Sequence, residues 1–431
     1  MTQRWALATA AGIVAAALCP LAIRAQVPEA LAALEAGDAA AARAALAREI
    51  ARLSWYQALA ESGAARAEAL ARSLALAEEG SWVRDAATGL QAADAGEVER
   101  AAAAAGRAAA AAPGEALLWK ELGDLLVRQD DGAGARSAYE RAVALSPGYG
   151  AALLALGGLQ LDEAEFTLAF NTFNHAVLDA GAPAVALVGR ANARLYLGDA
   201  EGALADLERA AALAPAGDDR HRALLASVNL HAYRRELPLG LERAEEAMRM
   251  WAGLGRVDRV AETLNAVARV LLETGDPGSA AAWYERSWQT IEASNLPAEE
   301  RTIWRVRSLH GRSRCAAAGR DLDAAESLAT EARALMAADP ANRAHYAWIE
   351  PYLDGYLALA RRRYDDAVAV LRRSDLERAH LRLLLAQAYE RTRDRANARL
   401  WYERALAAAT GLDTESVIVR PVASAWLAKN R

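Results

Sequence analysis

Large and small apolar residues recur along this chain at helical spacing, and their order repeats. Between Glu115 and Gly150, Trp119, Leu122, Gly123 and Leu126 fall on one helical face. Ala135, Tyr139 and Ala142 fall on a second, and Pro147 closes the stretch. A step of 34 residues lands on Leu153, Leu156, Gly157, Ala169, Phe173 and Ala176, and a second step lands on Leu187, Ala191, Ala203, Leu207, Ala210 and Pro215. A fixed period of this kind marks a repeat architecture. The spacing predicts two helices per unit, with small residues where backbones meet and large ones filling the space beside them. Neither helix hides its apolar stripe alone, so each unit must stack on the next.

The pattern extends both ways from this core. One step back gives Gly89, Ala101, Ala108 and Pro113, a degenerate unit over about 82–115 whose alanine-rich second helix, Ala101 to Ala112, follows from alanine's high helix propensity. Residues 28–82 read as helix hairpins broken at Gly37-Asp38 and Glu79-Gly80. After Pro215 the register slips: a longer pair spans Arg220 to Arg256, and the match resumes around the Gly275-Asp276-Pro277 turn. A looser pair covers about 299–337, and two more units are marked by Gly355, Ala367 and Leu371 and by Leu385, Ala386, Tyr389, Ala398, Tyr402 and Ala405. In the tail, Val417-Ile418-Val419 has strand character and precedes Pro421; capping of the last unit and a docking peptide are both open.

The order W-x2-L-G, A-x3-Y-x2-A, P, carried by Trp119, Leu122, Gly123, Ala135, Tyr139, Ala142 and Pro147, resembles the tetratricopeptide repeat, and the resemblance covers about 82–409. It implies an all-α fold, a right-handed superhelical solenoid of antiparallel helix pairs with a concave inner face. The expected divisions are a signal peptide at 1–25, N-terminal helical hairpins at 26–81, an array in strict register at 82–217, longer degenerate pairs at 218–337, C-terminal repeats at 338–410 and a capping tail at 411–431. In this family the first helix of each unit lines the inner groove. Carried over position by position, the resemblance assigns a partner-binding groove to Lys120, Asp124, Val127 and Arg128, then Leu154, Gly158 and Leu161, then Val188, Asn192 and Tyr196, and further on Tyr352 and Tyr356. Asp124 stands where the family's carboxylate clamp would need Asn. A protein or peptide partner is therefore implied, and similar exported proteins assist envelope assembly or polysaccharide export. A carbohydrate or polymer ligand held by groove tyrosines and arginines is the alternative.

Composition narrows the partner without naming it. The formal net charge is −6 with no long basic run, which argues against nucleic acid. Arg4, the apolar run Trp5 to Leu18, Pro20 and Ala25 before Gln26 read as a cleavable secretory signal, predicting a periplasmic or secreted chain; an uncleaved inner-membrane anchor is the alternative. No later segment is apolar for long enough to span a bilayer, so the mature chain is not expected to cross the membrane. Cleavage would remove Cys19 and leave Cys315 without a disulfide partner. His175, His221, His231, His310, His345 and His380 show no metal-ligand spacing, and nucleotide loops and nucleophile elbows are missing. No catalytic residue, metal or cofactor is expected. Arg301, Arg305, Arg307, Arg312 and Arg314 cluster beside Trp304, and the pattern suggests a face salt-bridged to acids such as Glu299, Glu300 and Asp321.

Overall fold

A computed structural model describes residues 27–430 apart from Gly37 and Ala182; the segment 1–25 and Cys19 lie outside the described residues. The described chain is all-α, a solenoid of paired helices, and no strand occurs among the described residues. The helices are α1 Val27–Glu35, α2 Ala39–Ala60, α3 Gly63–Leu76, α4 Trp82–Asp94, α5 Val98–Ala111, α6 Ala116–Arg128, α7 Gly132–Leu145, α8 Gly150–Asp162, α9 Phe166–Asp179 and α10 Pro183–Tyr196. They continue with α11 Ala200–Leu213, α12 Asp218–Tyr233, α13 Leu237–Gly253, α14 Val257–Glu273, α15 Pro277–Glu292, α16 Ala298–Ala318 and α17 Leu322–Ala338. After a 3-10 turn come α18 Arg343–Tyr346, α19 Ile349–Ala360, α20 Tyr364–Leu371, α21 Ala379–Arg391, α22 Arg395–Ala408 and α23 Thr414–Lys429. Two compact units result. Unit 1 holds the described residues up to Glu163 with Thr167–Gly189, and unit 2 holds Ala164–Phe166 with the described residues from Arg190 onward.

One turn design recurs in five of the helix pairs. The first helix ends on a residue with positive φ: Asp130 at 62°, Gly198 at 88°, Gly275 at 96°, Arg320 at 67° and Arg393 at 65°. An aspartate follows each of them, and its amide closes the turn onto a carbonyl five residues back, as from Asp131 to Leu126 and from Asp276 to Leu271, both at 2.9 Å. The same aspartate's carboxylate then caps the second helix. Asp131 accepts from the Gly134 amide at 2.9 Å, Asp199 from Gly202 at 2.8 Å, Asp276 from Ser279 at 2.9 Å and Asp394 from Asn397 at 3.1 Å. Each turn is thus satisfied locally, and the chain can reverse without using tertiary contacts.

Between the helices the large and small residues interlock. A Cβ on Gly123 would run into the Tyr139 ring, and one on Gly157 would lie 2.8 Å from Phe173, which is itself 2 % exposed. Ala101, Ala104, Ala105 and Ala108 are buried along α5, so the alanine tract is a close-packed helix. Ala169 is fully buried in unit 1. Ala169→Leu is accordingly expected to overpack its interface and cost about 1–3 kcal/mol, whereas Glu140→Gln, on an exposed position, should stay within about 0.5 kcal/mol. Urea titrations of the two variants compare them directly.

The tail departs from its strand-like sequence. Val417, Ile418 and Val419 lie inside α23, which is capped by Asp413 and contains Pro421. Val419 and Ala423 are fully buried in one core cluster with Leu385, Ala398 and Tyr402, and the Trp426 ring stacks on Tyr402 at 4.4 Å. With no neighbouring strand to complete a ladder, β-branched residues fold as a helix because that is how they reach this apolar face. Besides α21 and α22, α23 touches α12 and α14. No described helix is long and apolar enough to cross a membrane.

Candidate functional site

The face lined by first helices differs between the two units. In unit 1, Arg128 is exposed and Leu154 and Gly158 are half-buried, whereas Leu161 and Val188 are buried at 4 % and 6 % exposure. Lys120 is buried as well. Its ammonium donates to Asp124 at 2.6 Å and to Glu121 at 3.1 Å, and Asp124 also accepts from the Tyr139 hydroxyl at 2.9 Å. Burial favours the neutral amine, but Glu121 and Asp124 outweigh it and hold the Lys120 pKa well above its usual value. Lys120 is thus spent on a network internal to its own helix pair, which leaves the exposed Arg128 and the half-buried Val127, Leu154 and Gly158 as the reachable members of the set in unit 1.

In unit 2 the chain's own C-terminal segment lies on this face. The Tyr196 hydroxyl donates to the Gly411 carbonyl at 2.6 Å, and the Arg420 guanidinium sits 4.2 Å from the Tyr196 ring centroid. Asn229 on α12 uses both ends of its amide: Nδ2 donates to the Leu412 carbonyl at 2.9 Å, and Oδ1 accepts from the Thr414 hydroxyl at 3.1 Å. Behind these contacts the Glu415 carboxylate is buried. Arg269 on α14 donates to its Oε1 at 3.2 Å, Arg378 stands 3.6 Å from the same oxygen, and His380 Nδ1 on α21 stands 3.0 Å from Oε2. Burial disfavours the Glu415 anion, yet His380, Arg269 and Arg378 overcome it and hold the carboxyl below the ordinary range. Burial and Arg269 push His380 down to about 4, so at neutral pH the positive charge around Glu415 comes from the two arginines.

A second layer supports the first. Tyr352, 3 % exposed, is not on an open groove: its ring packs on His380 at 4.7 Å and on His310 at 4.9 Å, and its hydroxyl accepts from Arg314 at 2.7 Å. Arg314 also donates to the Tyr284 hydroxyl at 2.9 Å. Thus Arg314, 3 % exposed, leaves the basic face predicted for the 301–314 cluster and joins the interior. Arg305 and Arg312 do form ion pairs, with Glu331 and Glu285 and not with the acids nearest in sequence. Tyr356 is half-buried beside Tyr352, and Asn192 is buried at 6 % exposure.

Sequence reasoning missed Arg269, Asn229, Arg378, His380 and Glu415. The only signal for them was that buried face positions carry polar residues, a pattern shared by any helix with a solvated stripe. Burial pushes the Cys315 thiol up to about 11, which makes it a poor nucleophile. Among the described residues no group of three or more His, Cys, Asp or Glu side chains is arranged to hold a metal.

Residues 379–410, which include α21 and α22, match the tetratricopeptide repeat family. No curated protein matches the chain. Among solved structures, the chain is similar to a tetratricopeptide repeat protein from Parabacteroides merdae, at 16% identity over 65% of this chain and 98% of that one, with a TM-score of 0.44. It is also similar to YrrB, described as a TPR protein with an unusual peptide-binding site, at 18% identity over 43% and 93% of the two chains, with a TM-score of 0.35. MamA matches at 15% identity over 40% and 92%, with a TM-score of 0.36.

Proposed function

We propose, from the tetratricopeptide repeat match at residues 379–410, that the chain is a non-catalytic scaffold binding protein partners on the inner faces of its helix pairs, in the bacterial periplasm or cell envelope. The observation that carries this reading is the hold of unit 2 on main-chain atoms, through Tyr196 on the Gly411 carbonyl and Asn229 on the Leu412 carbonyl. Carbonyls of this kind are common to every polypeptide, so side chains placed to pair with them suit an extended peptide as ligand. Arg128 and Leu154 offer a partner the accessible part of the corresponding face in unit 1. The envelope location rests on the secretory pattern of residues 1–25, and help in envelope assembly or polysaccharide export is the process such a scaffold would serve.

Photo-crosslinking residues placed at Leu154 and at Arg128 in the native host test the reading. The expected result is a protein adduct at one or both positions. Adducts to carbohydrate alone would replace it with the polymer-binding alternative, and no adduct at either position would overturn it. The same preparation yields the mature N-terminus, expected at Gln26; a chain that still begins at the initiator methionine and fractionates with the cytosol would refute the location.

A further inference from the structure

The C-terminal segment has two halves of different chemistry. Its second half packs, through the fully buried Val419 and Ala423 and the stacking of Trp426 on Tyr402. Its first half brings polar groups inside: Glu415 and Ser416 are 5 % and 2 % exposed. A cap that only shielded the apolar face of the last pair would gain nothing by burying a carboxylate, which is costly unless cationic partners wait for it. Partners do wait, and they come from elements far apart in the chain: Arg269 on α14, and Arg378 and His380 at and beyond the start of α21.

We infer that the face formed by Tyr196, Asn229, Arg269, Arg378 and His380 is a recognition site for the first turn of a helix carrying an acidic residue, and that residues 411–416 occupy it as a resident ligand until a partner segment of the same chemistry displaces them. The inference rests on the scaffold reading above and adds the chemistry of the ligand. Three features of the resident segment define that chemistry. Asp413 caps its helix by accepting from the amides of Glu415 and Ser416 at 2.8 and 3.1 Å. Two residues on, Glu415 enters the cationic site, and the Leu412 carbonyl and Thr414 hydroxyl dock on Asn229. A partner therefore needs an extended approach, a capping residue and a carboxylate in the first helical turn.

Two observations favour exchange over a permanent fixture. Arg269 Nε, which is buried, has no hydrogen-bond partner among the described residues, so the site has more donor capacity than Glu415 consumes. Pro421 lies within α23 beside the buried Val419, where the apolar half begins. Lacking an amide hydrogen, it removes the helical hydrogen bond to the Val417 carbonyl, and the arm up to Ser416 can leave while the packed half stays. The tether keeps the resident segment at a high local concentration, so a rival must bind more tightly than an untethered copy of the arm would.

The test uses the full chain and, as probe, a labelled synthetic peptide with the sequence of residues 409–422. In the Glu415→Lys chain the arm is repelled by Arg269 and Arg378, and the peptide is expected to bind at least about tenfold more tightly than to the native chain, the scale of a lost charge-assisted hydrogen bond. A peptide with Gln in place of Glu415 should bind about tenfold more weakly than the native-sequence peptide. Hydrogen exchange at 411–417 should quicken in the Glu415→Lys chain, and in the native chain when the peptide is added in excess. Equal binding of the two peptides, binding to neither chain, or exchange unchanged in both chains would overturn the inference. So would dimerisation of the Glu415→Lys chain, because a second copy would then be the occupant. If Glu415→Lys does not fold, Glu415→Gln is read in its place. The scaffold reading fails separately, through the crosslinking at Leu154 and Arg128 in the other unit.

Discussion

Asp206→Ala is expected to destabilise unit 2 by about 3–5 kcal/mol, the usual consequence of stripping a buried charge of its counterion. Asp206, 4 % exposed on α11, faces Arg190, 8 % exposed on α10. The pairing is bidentate: Arg190 Nε donates to Oδ2 at 2.9 Å and Nη2 to Oδ1 at 2.6 Å, while Arg194 Nε stands 3.3 Å from Oδ2. Removal of the carboxylate leaves the buried Arg190 guanidinium facing the vacated position, while Arg194, which is partly exposed, keeps Asp199 at 3.5 Å. The double variant Arg190→Met with Asp206→Leu should regain most of the loss, since apolar residues of similar volume replace a buried ion pair at little cost. Urea titrations of native, single and double variants measure both effects. A single-variant cost below about 1 kcal/mol would mean that water reaches the pair.

Arg190 also shows where a repeat can be read and where it cannot. Stepping by 34 from Leu122 gives Leu156 and then Arg190, so a charged residue stands at a position that is Leu in the two preceding units. That substitution was visible as a break in the pattern; its partner was not, because Asp206 lies opposite only once the helices are packed. Gly123 opposite Tyr139 and Gly157 opposite Phe173 were legible because each contact joins two helices of one pair, within the span of one period. The candidate site was legible only in part. Tyr196 lies on a face that meets polypeptide, and it does so through the carbonyls of Ala409 and Gly411, more than two hundred residues later in the chain. A period of 34 residues carries no information about such contacts. Tyr352 and Lys120 were assigned to an open groove by register alone, and both are covered: Tyr352 by Arg314, His310 and His380, and Lys120 by its carboxylate partners.

Acid is expected to destabilise unit 2 from about pH 6.5 downward, above the pH at which carboxylates titrate. His380, 5 % exposed, is ringed by Glu415 from the tail, Arg269 from α14, Arg314 and His310 from α16, Arg378 before α21 and the Tyr352 ring from α19. Burial, with Arg269 adding to it, lowers its pKa from 6.5 to about 4. His310, 4 % exposed, is held well below 6.5 by burial and then by Arg314, His380 and Arg269. A histidine whose folded pKa is depressed gives its full stability above the unfolded value and loses it as pH falls below that value, because the unfolded chain takes up the proton first. At about 1.4 kcal/mol per pH unit, His380 alone withdraws about 3 kcal/mol between pH 6.5 and 4, and His310 adds a further loss as pH falls below 6.5. Glu415 acts in the same direction but lower down: its depressed pKa contributes stability above the unfolded value near 4.5 that disappears as pH falls further. Denaturation midpoints measured from pH 7.5 to 4.5 should therefore drop steadily from about 6.5 downward. His310→Phe, which removes one titrating group while keeping a ring against Tyr352 and Trp348, should flatten the slope. A midpoint that stays level down to pH 5 would mean that water or a structural opening lets both imidazoles protonate freely, and the packed interior around Tyr352 would then have to be redrawn.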